Sequence, residues 1–161
     1  MVQWIGKVLD RCFEAAVFVL FSAILMVGGM QVFNRFVFGQ PSSWSEEFQT
    51  FGFIWLVFFA VPVAYRRGTH IGMDTFSSRM PHRVRAWVAV LAELMWLGLA
   101  VAIAGFAAVI MGPTQFQRSP GLDLRMDWVY AGLVIGGCYL AWLAVGRLGA
   151  SFRALGRPAP D

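Results

Sequence analysis

Charge is scarce in this sequence. Only 14% of its 161 residues are Asp, Glu, Lys or Arg, against 58% apolar and 16% aromatic, which leaves too little polar surface to coat a soluble domain. Histidine and cysteine are rarer still, two of each. Cys12 and Cys138 both fall at or inside apolar stretches, where Cys behaves as a small apolar residue, so neither a disulfide nor a metal site is implied. His70 and His82 share one charged segment and do not face each other across apolar runs, a poor fit to axial haem ligation. The sequence has no phosphate-binding glycine loop, no Cys cluster and no nucleophile motif, so no enzyme and no cofactor are expected. A net charge of +4 raises nucleic acid as a partner. The basic residues, however, sit in short segments beside the apolar runs, with no aromatic-basic platform, and nucleic acid is not expected.

What the sequence does have is long apolar runs. They define an all-α, integral membrane four-helix protein, a single domain over 1–161, with spans at about 12–33, 48–65, 86–112 and 128–146. The second span organises the others. It opens with Trp44-Ser45-Glu46-Glu47, runs apolar from Phe48 to Tyr65 and closes on Arg66-Arg67-Gly68. Eighteen residues at helical rise cover roughly 27 Å, close to the hydrocarbon thickness of a bilayer. Ser43 is suited to cap this helix, Glu46 completes a capping box, and Glu47 faces the positive end of the helix dipole. Pro62 removes a helical hydrogen bond and crowds the carbonyl of Phe58, so a kink is expected near the inner end.

Residues 1–11 read as an amphipathic lead to a retained first span, because the following apolar run of about 22 residues has no small-residue cleavage site. Asn34-Arg35 are expected to end that span, and 34–43 to form an apolar-aromatic segment in the membrane interface, with Arg35 reaching lipid headgroups. Gly28-Gly29 would allow close helix contact. The same holds for Ala100, Ala104, Ala108 and Gly112 at four-residue spacing, and for Gly132-x-x-x-Gly136. The third span would reach roughly 40 Å and so must tilt or protrude.

Basic residues set the orientation. Of the 13 Lys and Arg, two precede the first span, five lie between the second and third, and three follow the fourth; only three occupy the other connectors. Both termini and the loop from Arg66 to Arg85 are therefore expected in the cytoplasm. Two carboxylates interrupt the apolar runs, and a mid-bilayer charge costs roughly 2.5–3.5 kcal/mol on insertion scales. Glu14 follows Arg11 by three residues and Asp10 by four, consistent with a locally paired or snorkelling carboxylate. Glu93 has no cation nearby in sequence. It fits either interfacial exposure or a hydrogen bond to another helix, in this chain or a partner.

In this setting Asn34-Arg35-Phe36-Val37-Phe38-Gly39, Trp44-Ser45-Glu46-Glu47, Arg67-Gly68-x-His70-Ile71-x-Met73-Asp74 and a short Pro-Gly loop before Trp128-x-Tyr130 resemble the small membrane subunit, the DctQ-like Q subunit, of tripartite ATP-independent periplasmic (TRAP) transporters. The stretch after Tyr130 departs from that pattern, since relatives commonly carry a proline there. The resemblance implies a multi-pass protein of the bacterial inner membrane. It implies two partners: a large TRAP membrane subunit of about a dozen spans, which carries the substrate and sodium sites, and a periplasmic substrate-binding protein. The latter would deliver an organic acid such as a C4-dicarboxylate or sialic acid.

On this reading the chain is a fixed scaffold in contact with membrane lipids. Trp44, Glu46 and Glu47 would position the outer end of the second helix and touch the binding protein, with Arg35 nearby. Arg67, His70 and Asp74 would order the inner loop, by a local hydrogen bond or against the large subunit. The rival is a self-sufficient proton-coupled multidrug exporter using Glu14, which fits poorly because such proteins are shorter, have brief loops and place the carboxylate deeper. An assembly factor without transport is a third possibility. Reporter fusions after Gln40 and after His70 are expected on opposite sides of the membrane; the same side for both would overturn the orientation.

Overall fold

The computed structural model describes residues 2–39, 43–68 and 82–155. Four helices account for most of them: α1 (Val2–Val37), α2 (Ser43–Arg66), α3 (His82–Thr114) and α4 (Met126–Leu155). Each contains a stretch long and apolar enough to cross a bilayer: Gly6–Val37, Ser43–Arg66, Ala86–Thr114 and Met126–Arg153. The all-α, four-span architecture is the one expected.

The helices outrun their apolar cores. α1 is already helical at Val2 and passes through Asn34-Arg35 to Val37. It stops where the Phe38 N–H bonds the Asn34 carbonyl at 2.9 Å and Gly39 takes φ +66°, the left-handed conformation that closes helices and that glycine adopts without steric penalty. The first part of the expected interfacial connector, residues 34–37, is thus the last turn of α1, with Phe36, Val37 and Phe38 exposed. α2 continues through Pro62 to Arg66, and α4 is unbroken across the stretch after Tyr130.

α1 packs on α2, α3 packs on α4, and the α2–α4 contact joins the two hairpins. The molecule therefore has a hairpin end, with the α1–α2 and α3–α4 connections, and a termini end, with the start of α1, the end of α2, the start of α3 and the end of α4. α4 lies between α2 and α3, and small residues admit it. A Cβ at Gly132 would meet the Trp55 ring at 2.8 Å, and one at Gly136 would lie 2.3 Å from the Phe58 carbonyl oxygen. That carbonyl is the one whose usual helical donor would be residue 62, where proline has no N–H. Pro62 is itself fully buried, so the proline and the glycine together let the α2 and α4 backbones approach.

On the other side of α4, a Cβ at Gly137 would meet the Ala104 Cβ at 3.1 Å and the Ala100 carbonyl at 3.2 Å. The four-residue alanine stripe is used only in its first half. Ala100 and Ala107 are buried, whereas Ala108 is exposed and Gly112 has open space around it. Steps of four residues advance about 400°, so such a stripe drifts about 40° per step off any one neighbour, and a contact line must alternate between four and three. Gly28 faces Gln49 at 3.2 Å while Gly29 faces open space.

α2, α3 and α4 meet in a cluster of Tyr65, Ala100, Leu140 and Ala144, with Trp96 and Leu97 against it. Phe13 brings α1 in by stacking on Tyr139 at 4.1 Å and tilting onto Phe59 at 4.8 Å. Gly136→Ala is expected to force the α2 and α4 backbones apart and destabilise the protein by about 1–3 kcal/mol. Gly105→Ala, where a Cβ meets nothing within 4 Å, should be neutral or slightly stabilising. Thermal unfolding in detergent compares the two.

Candidate functional site

Two polar layers cross the bundle, one at each end. At the termini end Arg66, the last residue of α2, is the node. Its guanidinium donates to Asp10 through Nη1 and to Glu14 through Nη2, the latter at 2.6 Å. Its backbone carbonyl accepts Arg147 Nη2 of α4 at 2.9 Å. Arg67 reaches Glu14 as well, at 3.1 Å. The Tyr139 hydroxyl donates to Asp10 and the Tyr65 hydroxyl to Glu93 of α3, and the Arg147 guanidinium lies 4.5 Å over the Tyr65 ring. One residue of α2 thus ties α1 to α4, and its neighbour Tyr65 adds α3.

Glu14 and Glu93 are both placed by this layer. The cations on Glu14 come from α2 rather than from Arg11 one turn away, because Arg66 and Arg67 end α2 beside the start of α1. Glu93, without a cation near it in sequence, bonds a tyrosine of another helix in the same chain. Arg67 is exposed and half engaged. His70 and Asp74 lie outside the described residues, as does most of the expected Arg66–Arg85 loop.

The hairpin end carries the second layer. Glu47 accepts two backbone N–H bonds from the α3–α4 loop, Gly121 at 2.9 Å and Leu122 at 2.8 Å, one on each carboxylate oxygen. A Cβ at Gly121 would lie 2.9 Å from Glu47 Oε2 and 3.2 Å from the Trp44 Cα, so the absence of a side chain is what lets the loop sit down on α2. Glu46, in the first turn of α2, accepts Gln31 of α1 at 3.3 Å, and Gln49 donates both to Gln31 and to the Ser45 carbonyl. Trp44 is partly exposed. Arg35 occupies the last turn of α1, where a cation is favoured by the helix dipole, and is exposed.

The spacing between the layers has a physical meaning. At about 1.5 Å per residue, Glu14 to Val37, Ser43 to Tyr65, Glu93 to Thr114 and Met126 to Arg147 each cover about 31–35 Å, near the ~30 Å of a hydrocarbon core. Polar groups are satisfied at both boundaries, and the excess helix of α1, α3 and α4 lies beyond the termini-end layer. Glu93 therefore lies in the termini-end layer, about one bilayer thickness of helix from the end of α3.

Asp10, Tyr139, Tyr65, Gln31 and Gln49 were not singled out from sequence. The available signal was that Asp10 and Glu14, four apart on one helix face, sit at the same end as the arginine pair closing the next span. The pairings with Tyr139 and with the Gly121 and Leu122 amides join residues 129, 74 and 75 positions apart and leave no local pattern.

Fold and layers define a multi-pass membrane protein whose polar groups bind one another. Comparison with known proteins narrows this. The profile of the family described as tripartite ATP-independent periplasmic transporters, DctQ component, matches residues 23–154. The sialic acid TRAP transporter small permease protein SiaQ of Vibrio cholerae is 24% identical over 146 residues, covering 88% of this chain and 82% of the relative. The sialic acid TRAP transporter permease protein SiaT of Haemophilus influenzae is 24% identical over 72% of this chain and 19% of the relative. The isethionate TRAP transporter permease protein DctMQ of Oleidesulfovibrio alaskensis is 34% identical over 50% of this chain and 13% of the relative. The chain belongs to the DctQ family of TRAP small permease subunits; it is a membrane transporter component and not an enzyme.

Arg66→Ala would leave Asp10, whose side chain is 13% exposed, without its Arg66 partner and Glu14 with Arg67 alone. Breaking a buried pair by removing one partner costs about 3–5 kcal/mol. Arg66 is 35% exposed, so a smaller loss, about 2–3 kcal/mol, is expected. Arg118→Ala breaks an ion pair exposed on both sides and should lose under about 0.5 kcal/mol. Denaturation in detergent ranks the two.

Proposed function

We propose that this chain is the fixed scaffold of a sodium-coupled TRAP transporter in the bacterial inner membrane, with both termini cytoplasmic. It would pair with a large membrane subunit that handles the solute and a periplasmic binding protein that delivers it. The observation that carries this reading is that the carboxylates at the ends of the spans, Asp10, Glu14, Glu93 and Glu47, are each engaged by a donor of this same chain. A solute or ion path through a membrane needs polar groups that face a cavity; these face each other. The exporter alternative is disfavoured on the same ground, because Glu14 would have to be open to a proton and a cation, and Arg66 and Arg67 occupy it.

The relatives support the partner and the substrate class. In SiaT and DctMQ the matching region is a fifth of the protein or less, which supports a much larger permease component working beside this one. Sialic acid and isethionate are both organic anions, which supports an organic acid as cargo. Within this scaffold Trp44, Glu46 and Arg35 at the hairpin end are candidates to meet the binding protein. Arg67, His70 and Asp74 are candidates to order the opposite loop against the large subunit, while Glu14 and Glu93 brace the helices.

The chain reconstituted alone in liposomes is expected to move no organic acid with or without a sodium gradient. Uptake is expected only when the large subunit and the binding protein are both supplied. Sodium- or proton-driven transport by the chain alone would overturn the scaffold reading.

A further inference from the structure

We propose that Glu47 is a positioning residue that holds the α3–α4 loop, residues 115–125, in one preformed shape, so that the soluble binding protein meets a rigid docking element. This rests on the scaffold reading above.

The loop is far more ordered than a connector requires. The Ser119 N–H bonds the Leu124 carbonyl at 2.9 Å, the Asp123 N–H bonds the Ser119 carbonyl at 3.1 Å and the Met126 N–H bonds the Gln117 carbonyl at 3.1 Å. The Leu124 N–H also reaches the buried Ser119 hydroxyl at 3.3 Å. Asp123 takes φ +52°, uncommon for a residue with a side chain, and its carboxylate is held by Arg118 at 2.7 Å. The two amides left at the turn, Gly121 and Leu122, are the two that Glu47 binds. Ordering a backbone opposes folding at every residue, and α3 and α4 are already joined by the Ala100, Ala104 and Gly137 packing. Holding the helices together therefore does not call for a pin from α2.

Preformed shape matters when a partner binds, because it removes the ordering cost from the binding step. The pinned loop displays Phe116, 83% exposed, together with Arg118, Asp123 and Arg125, all exposed, and Phe and Arg are residue types that protein interfaces favour. Its arginines are already paired, Arg118 with Asp123 and Arg125 with Asp127. The loop therefore offers no net positive field to anionic lipid headgroups but does offer both signs of charge to a protein. Each carboxylate oxygen of Glu47 faces a loop amide, so its effect on the partner runs through the loop.

The test uses the complete three-component transporter in proteoliposomes, with the concentration of binding protein varied. Glu47→Ala is expected to raise the half-saturating concentration of binding protein about tenfold. Maximal uptake and co-purification with the large subunit should be preserved, and amide hydrogen exchange at 115–125 should speed up. Glu47→Gln, which keeps one acceptor oxygen, should fall between. Gly121→Ala, which lifts the loop off α2 from the other side, should reproduce the shift with Glu47 intact. Faster loop exchange with unchanged half-saturation would overturn the proposal, as would loss of assembly or of maximal uptake alone. Wild-type uptake that does not depend on the binding protein would instead overturn the scaffold reading itself.

Discussion

In hydrocarbon an apolar side chain gains nothing by leaving lipid for protein, so membrane helices cohere through close backbone packing and through polar groups that have no other partner. Both devices are concentrated on α2 and α4 here. The Phe58 carbonyl, beside a proline that cannot donate to it, is met by Gly136. Beyond it Arg66 gathers Asp10, Glu14 and Arg147. The contacts of that layer that reach α4, Arg147 to the Arg66 carbonyl and Tyr139 to Asp10, lie on the same helix as Gly136.

The two layers do different work. At the termini end charged and phenolic groups from all four helices bind each other. At the hairpin end one carboxylate reaches across from α2 to the backbone of the α3–α4 loop. Two hairpins cross-braced at both ends make a stiff body, which is what the proposed scaffold role requires. On that proposal function lies in geometry held constant, which leaves few of the signatures by which catalytic or solute-binding sites are recognised.

The class of protein, the number of spans and the family were legible from residues in order: apolar runs of bilayer length, an acidic start and a basic finish to the second span, and motifs at the hairpin and loop positions. These are local properties, set by the lengths and compositions of single segments. Helix limits were less legible. The lead before residue 12 and the Asn34-Arg35 pair look like boundaries by polarity, but polar residues cost a helix only tenths of a kcal/mol each and do not by themselves interrupt it. The real stop is Gly39.

What only the tertiary structure decided is pairing. The sequence alone marked Glu14 and Glu93 as carboxylates interrupting apolar runs and left open whether each was partnered or exposed at the interface. That Arg66 and Arg67 serve the first and Tyr65 the second follows from how α1, α2 and α3 lie beside one another. Half of the alanine stripe was unused for the same reason, since a contact line follows the helical repeat and the neighbour's position, not spacing alone. Glu47 read as a carboxylate at the positive end of its own helix dipole and a candidate contact for a partner; in the structure it also binds amides of a loop 74 residues away, because a carboxylate's bonding partners are chosen by proximity in space. Apolar length is a sum along the chain, while hydrogen bonding is a relation between segments that only the fold brings together.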